Sequence, residues 1–312
     1  MRTPMRTPAM VSILLLATGT SVTPLLAHPG LHHDIEALSA RLEATPDDPR
    51  LHLERAVYYR LNGEYDRALA DLDLVARTSP AETGLLLERG LTLSALGRDR
   101  DALRALDAEL KGAPGNARAL GERARVHARL GNDKAAIADD GAAIAIEPDL
   151  DLYLERGLLQ EKAGRLDAAA AGYRDGLARL GGAVLLREGL IRVELRRGNG
   201  QAALAAIDEA MAHATVKTGW MLRRSDVLDT LHQPEAARAG REQALREIDG
   251  VLQERDSGIH RVSRARVLVA LGRSDDAKRE LEQVLAKTPN YDEARDLLRG
   301  LDSPNAGVRG RR

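Results

Sequence analysis

The chain has 312 residues, a formal net charge of -1, no Cys, no Phe and only 2% aromatic residues. This composition excludes disulfides and thiolate metal sites, disfavours β-strands, and gives no basic bias that would indicate nucleic-acid binding. The sequence therefore predicts an all-α protein.

Residues 1–27 are predicted to be a secretory signal peptide. Arg2 and Arg6 precede the apolar run Met10–Ala17, and Ala27 is a small residue suited to the cleavage position. Because the run is too short to cross a bilayer, we expect no membrane span once the signal is removed. Removal takes the formal charge from -1 to -3, since the leader holds two arginines and no acidic residue. The expected location is a bacterial-type periplasm or the cell exterior.

Three of the eight histidines, His28, His32 and His33, lie close together after the expected cleavage position. The new terminal amine and the His28 imidazole could chelate copper or zinc, with His32 or His33 as a further ligand. The alternative is a solvated lead-in before a capping helix over Asp34–Glu43, within a segment spanning 28–48. Apart from this open question, no cofactor is expected.

A repeat dominates the rest of the chain. Pro46, Pro80, Pro114 and Pro148 are each 34 residues apart, a period typical of arrays of helical pairs. The tetrapeptide LERA of Leu53–Ala56 returns in later copies as LERG, GERA and LERG. We predict about seven helix-turn-helix units over residues 49–302, the last followed by a C-terminal capping helix over Asp292–Leu301. A disordered tail is expected over 303–312.

The first unit resembles the tetratricopeptide repeat. That family places a small residue, an aromatic, a glycine, an alanine, a large apolar residue and a proline at fixed positions. In this chain the first copy supplies Ala56, Tyr59, Gly63, Ala68, Leu72 and Pro80. The third copy departs from the pattern, because Asp140 stands where Leu72 stands in the first. The resemblance implies a right-handed α-solenoid whose small residues lie where paired helices cross.

Later copies follow the pattern more loosely. The fourth is one residue short, and the fifth opens with Leu186–Gly189. The sixth comprises Trp220–Leu231 and Pro234–Arg255, and its second helix or the following loop is expected to be longer. The seventh, from Gly258 to Pro289, recovers the pattern. The whole array is expected to act as an exported bacterial protein of this family.

A row of arginines beside the helix crossing is predicted to be structural. A guanidinium in a partly buried interface needs an acidic or carbonyl partner, and Asp71 and Asp139 lie sixteen residues after Arg55 and Arg123. His52 and His127 occupy positions where the family places aromatic core residues, and we interpret both as packing residues. The sequence contains no catalytic motif of a serine hydrolase, zinc protease or phosphate-binding loop. We expect no enzymatic activity.

The resemblance also implies a ligand groove on the concave face, lined by the first helix of each pair. The predicted lining residues are apolar near the amino end and basic at the third repeat: Leu53, Val57, Arg60, Leu87, Leu91, Arg118, Arg125 and Arg129. Such a groove suits an extended peptide or an amphipathic helix that has apolar anchors and an acidic stretch. A merely solvated helix face is the alternative.

The predicted function is a non-enzymatic scaffold that binds a protein or peptide partner and no nucleic acid. Two alternatives remain open at this point: a metal-binding or metal-delivery protein that uses the amino-terminal histidines, and an accessory subunit of an envelope enzyme complex. The oligomeric state does not follow from the sequence.

Overall fold

The computed structural model describes residues 29–302, which form sixteen α-helices and no β-strand. The prediction of an all-α protein is confirmed. The expected signal peptide over 1–27, His28 and the expected tail over 303–312 lie outside the described residues. Among the residues described, no helix is long and apolar enough to cross a membrane.

The chain divides into two compact units, and the first contains the described residues up to Ala108. Its helices are α1 (Pro29–Ala44), α2 (Pro49–Leu61), α3 (Tyr65–Thr78), α4 (Leu85–Ala95) and the greater part of α5 (Asp99–Gly112). The first helix therefore begins at Pro29 rather than at Asp34, which corrects the expected solvated lead-in. Proline is well accommodated at the first helical position, where its missing N–H has no partner to lose.

The second unit begins at Glu109. After the end of α5, its helices are α6 (Ala117–Arg129), α7 (Asp133–Ile146), α8 (Leu150–Lys162), α9 (Leu166–Leu180), α10 (Val184–Arg196), α11 (Gly200–His213), α12 (Thr218–Thr230), α13 (Pro234–Glu254), α14 (Gly258–Ala270), α15 (Ser274–Lys287) and α16 (Asp292–Asp302). The extra length expected in the sixth repeat belongs to the helix, since α13 has 21 residues.

Local sequence signals explain where the helices start and stop. Asp48 caps α2 by accepting hydrogen bonds from the backbone N–H groups of Arg50 and Leu51, and Pro49 occupies the first turn. At the other end of the helix, Gly63 adopts a φ of +79°, and Gly97, Gly131 and Gly164 repeat this left-handed conformation. Each of these glycines follows the end of a first helix, where a residue with a side chain would be strained.

The core of the first repeat lies between α2 and α3. Ala56, Ala68, Leu72, Val75 and Leu85 form one buried cluster there. Small residues allow the helices to approach closely, as Gly90 of α4 shows: a Cβ atom placed on it would lie 2.7 Å from the side chain of Leu106. That distance is far below ordinary contact, so a larger residue would force α4 and α5 apart.

The last helix covers the end of the second unit. Val262, Leu268, Leu281 and Ala294 belong to one buried cluster formed by α14, α15 and α16. Leu297, Leu298 and Leu301 of α16 pack against the same cluster. The helix expected to cap the array is therefore present and buries an apolar face, as terminal units of a solenoid require.

Candidate functional site

The apolar part of the predicted groove lies on α2 and α4 of the first unit. Leu53 packs against the core cluster of the first repeat and is half-buried, as are Val57 and Leu87. Leu91 is buried, with 9% of its surface exposed. These side chains thus serve the fold as well as the predicted surface, and Leu91 has little area left to offer a ligand.

Arg60, also predicted to line the groove, is engaged inside the protein. Its Nε donates a hydrogen bond to Glu88 Oε2 at 2.9 Å, and both side chains are largely shielded from solvent. The pair joins α2 to α4, the first helices of two successive repeats. Sequence reasoning missed Glu88 as the partner, although a glutamate precedes the crossing arginine in each of the first four repeats.

The basic part of the predicted groove lies on α6 in the second unit. Arg118 and Arg129 are exposed, whereas Arg125 is half-buried. Arg125 Nε donates to Glu155 Oε1 at 2.8 Å, and its Nη1 lies 3.4 Å from Glu122 Oε2. The α6 arginines are therefore interleaved with carboxylates, and the surface has a mixed charge rather than the uniformly basic character expected.

A recess of about 310 Å³ lies beside these arginines, between α6 and α8. Arg118 and Arg125 line one side, and Gly121 and Leu152 provide an apolar part of its wall. The remaining lining is largely acidic and comes from Glu147, Asp149 and Asp151. The recess can thus accept an apolar side chain between groups of both charges.

Pairs of this kind recur between successive first helices of the second unit. Arg192 Nη2 donates to Glu161 Oε1 at 2.7 Å, which joins α10 to α8. Arg223 Nε donates to Glu188 Oε2 at 3.0 Å, which joins α12 to α10. The first helices therefore present a series of ion pairs that hold neighbouring repeats together.

Glu161 is the most heavily coordinated of these carboxylates. Besides Arg192, it accepts hydrogen bonds from Arg196 Nη1 at 3.0 Å and from the Tyr173 hydroxyl at 2.8 Å. Burial by itself would raise the pKa of Glu161, but the hydrogen bonds from Arg192 and Tyr173 outweigh it and the pKa is lowered. Glu161 is therefore a charged structural acceptor and not a poised proton donor.

The predicted pairing of crossing arginines with aspartates is confirmed. Arg55 donates from Nε and Nη2 to the two carboxylate oxygens of Asp71, both at 2.8 Å. Arg123 makes the same bidentate contact to Asp139, both distances being 2.7 Å. The hydrogen bond with Asp71 is the largest of the effects that raise the pKa of Arg55. Planar, two-point pairing of this kind fixes orientation as well as charge.

His52 is more than a packing residue, which corrects its interpretation. It is buried, and its Nδ1 lies 2.8 Å from Asp71 Oδ1 while its Nε2 lies 2.8 Å from the carbonyl oxygen of Pro46. The histidine thus links Asp71 to the loop before α2. His127, by contrast, is half-buried, and its Nδ1 lies 3.5 Å from Asn132 Nδ2.

Asp140 is the polar group that the fold accommodates worst. It is 1% exposed, and neither carboxylate oxygen has a hydrogen-bond partner among the described residues. Burial, with the charge of nearby Glu155, raises its pKa to about 7. Arg156, the crossing arginine of the next repeat, also has a buried Nε without a partner. Arg156 has no aspartate sixteen residues later, as Arg55 and Arg123 do, because Gly172 occupies that position.

The histidines proposed as metal ligands are only partly described. His32 and His33 both lie on α1 and are exposed, and His32 Nε2 is 3.4 Å from Glu36 Oε1. Consecutive helical residues point in different directions, so His32 and His33 do not converge on one position. Across 29–302, no group of three or more His, Asp or Glu side chains is arranged to hold a metal ion.

Successive helix pairs, each packed on the next within its unit, define the class of this protein as an all-α repeat solenoid. Residues 35–83 and 87–151 match the family model described as tetratricopeptide repeat. These residues, a little over a third of the chain, are similar to tetratricopeptide repeats. No curated protein matches the chain.

Several solved structures are similar. A tetratricopeptide repeat protein from Parabacteroides merdae is 19% identical, with a TM-score of 0.47, covering 87% of this chain and 100% of its own. YrrB, described as a tetratricopeptide repeat protein with an unusual peptide-binding site, is 18% identical, with a TM-score of 0.48, over 57% of this chain and 92% of its own. The Cut9–Hcn1 hetero-tetramer of APC/C is 18% identical, with a TM-score of 0.41, over 88% of this chain and 53% of its own.

Proposed function

We propose that this protein is a non-enzymatic scaffold that binds a protein or peptide partner on the first helices of its repeats. Tetratricopeptide repeat proteins bind partners of this kind. Stacked repeats are suited to the task, because each first helix adds a strip of side chains to one extended surface. The partner would contribute an apolar side chain flanked by acidic residues.

The observation that supports this proposal is the recess between α6 and α8. Arg118 and Arg125 line it next to Gly121 and Leu152, so charged and apolar contacts lie side by side. Gly121 lets Leu152 of α8 pack closely against α6, because a Cβ there would lie 2.9 Å from a methyl group of Leu152. An acidic group of the partner would contact the arginines, and an apolar side chain would fill the space beside Leu152.

Arg118 and Arg129 are the right residues to test, and Arg125 is not. Reversing the charge of Arg125 would place three carboxylates, Glu122, Glu155 and Asp140, beside a fourth, and would disturb the fold itself. Arg118 and Arg129 are exposed at the two ends of the same helix face. The double variant Arg118→Glu/Arg129→Glu therefore changes two exposed side chains and no buried one.

The test is affinity capture from an envelope fraction with the full chain as bait, at low and at high ionic strength. We expect the double variant to recover the principal partner at least about tenfold less at low salt, with a smaller difference at high salt, because salt screens exposed charges. Arg238→Glu/Arg246→Glu, an equal charge change at exposed positions of the second helix α13, is the matched control and should leave recovery unchanged.

Cross-linking of the captured partner then locates the contact. Partner peptides cross-linked to α6 or α8 would support the proposal. Equal recovery by the first-helix variant and the α13 control, or cross-links confined to second helices, would contradict it.

Export to the periplasm or the cell exterior is part of the proposal. It follows from the predicted signal over 1–27, where Arg2, Arg6 and a short apolar run precede Ala27. Mass spectrometry of the protein from the envelope fraction should find a mature chain that begins at His28. A protein that retains Met1 in the cytoplasmic fraction would refute export without affecting the binding proposal.

A further inference from the structure

The fifth repeat reverses a charge order that the first four repeats share. Glu54-Arg55, Glu88-Arg89, Glu122-Arg123 and Glu155-Arg156 each place a glutamate before the crossing arginine, whereas the fifth repeat has Arg187 before Glu188. Glu188 accordingly pairs with Arg223 of α12. Arg187 is turned to a different environment, towards α11.

Arg187 is a buried cation with unused hydrogen-bond donors. It is 5% exposed, its Nη1 donates to the carbonyl oxygen of Ala206 at 3.1 Å, and the same atom lies 3.1 Å from Glu209 Oε2. No described residue accepts a hydrogen bond from Nε or Nη2 of Arg187. Several polar side-chain atoms of the described residues are fully buried without a hydrogen-bond partner, but Nε and Nη2 of Arg187 are not among them. Both atoms therefore retain some solvent-accessible surface.

Arg187 lines a cavity of about 550 Å³ in the second unit. It lies between the ends of α9 and α11 and the starts of α10 and α12, and it shares no lining residue with the recess on α6. Its walls combine Arg187 and Glu209 with apolar and aromatic groups, namely Leu177, Val184 and Trp220. Val184 is 58% exposed, so its side chain is available to a ligand.

The two unused donors define the chemistry of a ligand. Nε and Nη2 form one edge of the planar guanidinium, and this edge matches the two oxygens of a carboxylate. Since no described residue occupies this edge, a ligand carboxylate can pair with it without displacing a protein group. Glu209, on the opposite edge, would repel a doubly charged anion such as a phosphate monoester more than a carboxylate. The apolar walls favour a ligand whose carboxylate is attached to a hydrocarbon group.

We propose that this cavity is a binding site for a carboxylate attached to an apolar group, with Arg187 as the carboxylate anchor and Val184, Leu177 and Trp220 as the apolar wall. The cavity volume falls in the range of small-ligand sites. Two sources of the ligand share this chemistry: a free aliphatic or aromatic acid, and the carboxyl terminus of a peptide that ends in an apolar residue. The site is independent of the surface proposed for partner binding.

The protein provides its own reporter, because Trp220 is the only tryptophan in the chain. Sodium octanoate is titrated into the full chain while tryptophan emission is recorded. Octan-1-ol and octylammonium serve as neutral and cationic controls of the same length. We expect a saturable emission change with octanoate and no saturable change with either control.

Arg187→Gln should weaken octanoate binding by roughly tenfold or more, because a charge-assisted two-point contact is lost. Arg224→Gln, in the same unit at an arginine outside the cavity, is the matched control and should bind as the parent does. Circular dichroism of each variant checks the fold. If Arg187→Gln does not fold, Val184→Glu replaces it, since this exposed position adds a repelling carboxylate to the cavity wall without disturbing the core.

A second arm distinguishes the two ligand sources. An acetylated tripeptide ending in leucine is titrated as the free acid and as the carboxamide. Saturable binding of the free-acid peptide alone identifies a peptide terminus, and binding of octanoate alone identifies a free acid; either supports the site. The proposal is overturned if neither binds, if octan-1-ol acts like octanoate, or if Arg187→Gln and Val184→Glu bind as tightly as the parent.

Discussion

The first and the third repeat share the same arginine–aspartate pair between their two helices, but they differ in the residue that follows the aspartate. Both place an arginine of the first helix against an aspartate of the second: Arg55 with Asp71, and Arg123 with Asp139. The next residue differs. Leu72 is fully buried in the apolar core of the first repeat, whereas the equivalent Asp140 is buried without a hydrogen-bond partner.

The difference shows that burial has opposite consequences for two adjacent carboxylates. Asp139 lies against the guanidinium of Arg123, which donates a hydrogen bond to each of its carboxylate oxygens. Asp140 has only more distant charges: Arg125 and Arg156 favour its ionisation, and Glu155 and Asp139 oppose it. Burial is the largest effect, and it favours the protonated acid. A repeat can therefore tolerate a carboxylate in its core when the proton remains bound.

The largest effect is expected from making the first repeat resemble the third. Leu72→Asp removes a large apolar side chain from a position with 0% exposure and places a carboxylate in the apolar core cluster of the first repeat. We expect the free energy of unfolding to fall by about 3–5 kcal/mol, measured by urea denaturation. Leu61→Asp, at a position of the same helix pair that is 54% exposed, is the control and should change it by less than about 0.5 kcal/mol.

A smaller but still large effect is expected at the shared ion pair. Asp71→Ala leaves both Arg55 and His52 without their carboxylate and should destabilise the protein by about 3 kcal/mol. Because the pair acts as a unit, Arg55→Ala/Asp71→Ala should destabilise by at least about 1 kcal/mol less than the sum of the single variants.

The same set of single and double alanine variants at the exposed pair Arg224–Asp208 serves as the control. Its coupling energy should stay below about 1 kcal/mol, as is usual for a solvated pair. Additive effects at Arg55 and Asp71 would show that their contact does not stabilise the crossing of α2 and α3.

The smallest effect is a dependence of stability on pH that arises from Asp140 in the third repeat. The pKa of Asp140 is raised from 3.8 to about 7, so the folded state retains a proton that the unfolded state releases. The stability that this group provides is fully present below about pH 4 and is lost as the pH rises to about 7. Asp140→Asn, which never ionises, should therefore gain about 2–3 kcal/mol of stability over the parent between pH 5 and pH 8, and the two proteins should approach each other only below about pH 4.

Asp139→Asn is the matched control for this prediction, because the neighbouring carboxylate is ion-paired with Arg123. It should be less stable than the parent at pH 8, opposite in sign to Asp140→Asn. Urea denaturation of the three proteins at both pH values makes the measurement. A gap between Asp140→Asn and the parent that is the same at pH 5 and pH 8 would show that Asp140 does not titrate with folding.

Sequence reasoning succeeded where the periodicity of one helix pair fixes the contact. The turn glycines, the small residues at helix crossings and the Arg55–Asp71 and Arg123–Asp139 pairs all follow from position within the 34-residue unit. Within a pair of helices joined by a short turn, the spacing along the chain sets the spacing in space. The class of fold could therefore be predicted from the sequence.

The predicted groove shows where this reasoning ends. Its residues could be placed on first helices from their positions, but not the acidic groups opposite them: Arg60 meets Glu88 of the next repeat, and Arg125 meets Glu155. Both arginines reach across to the first helix of the next repeat, so the partner depends on how successive repeats pack and not on the spacing within one repeat.

The sequence by itself determined the repeat, its helical pairs and the polar contacts inside each pair, because these are local and periodic. Only the tertiary structure decided the mixed charge of the α6 surface, the link from His52 to Asp71 and Pro46, and the burial of Asp140 and Arg187. Those outcomes depend on which side chains from neighbouring helices exclude water from a polar group and which of them supply its partner. Both depend on which side chains are close in three dimensions, and the 34-residue period of the sequence does not specify those distances.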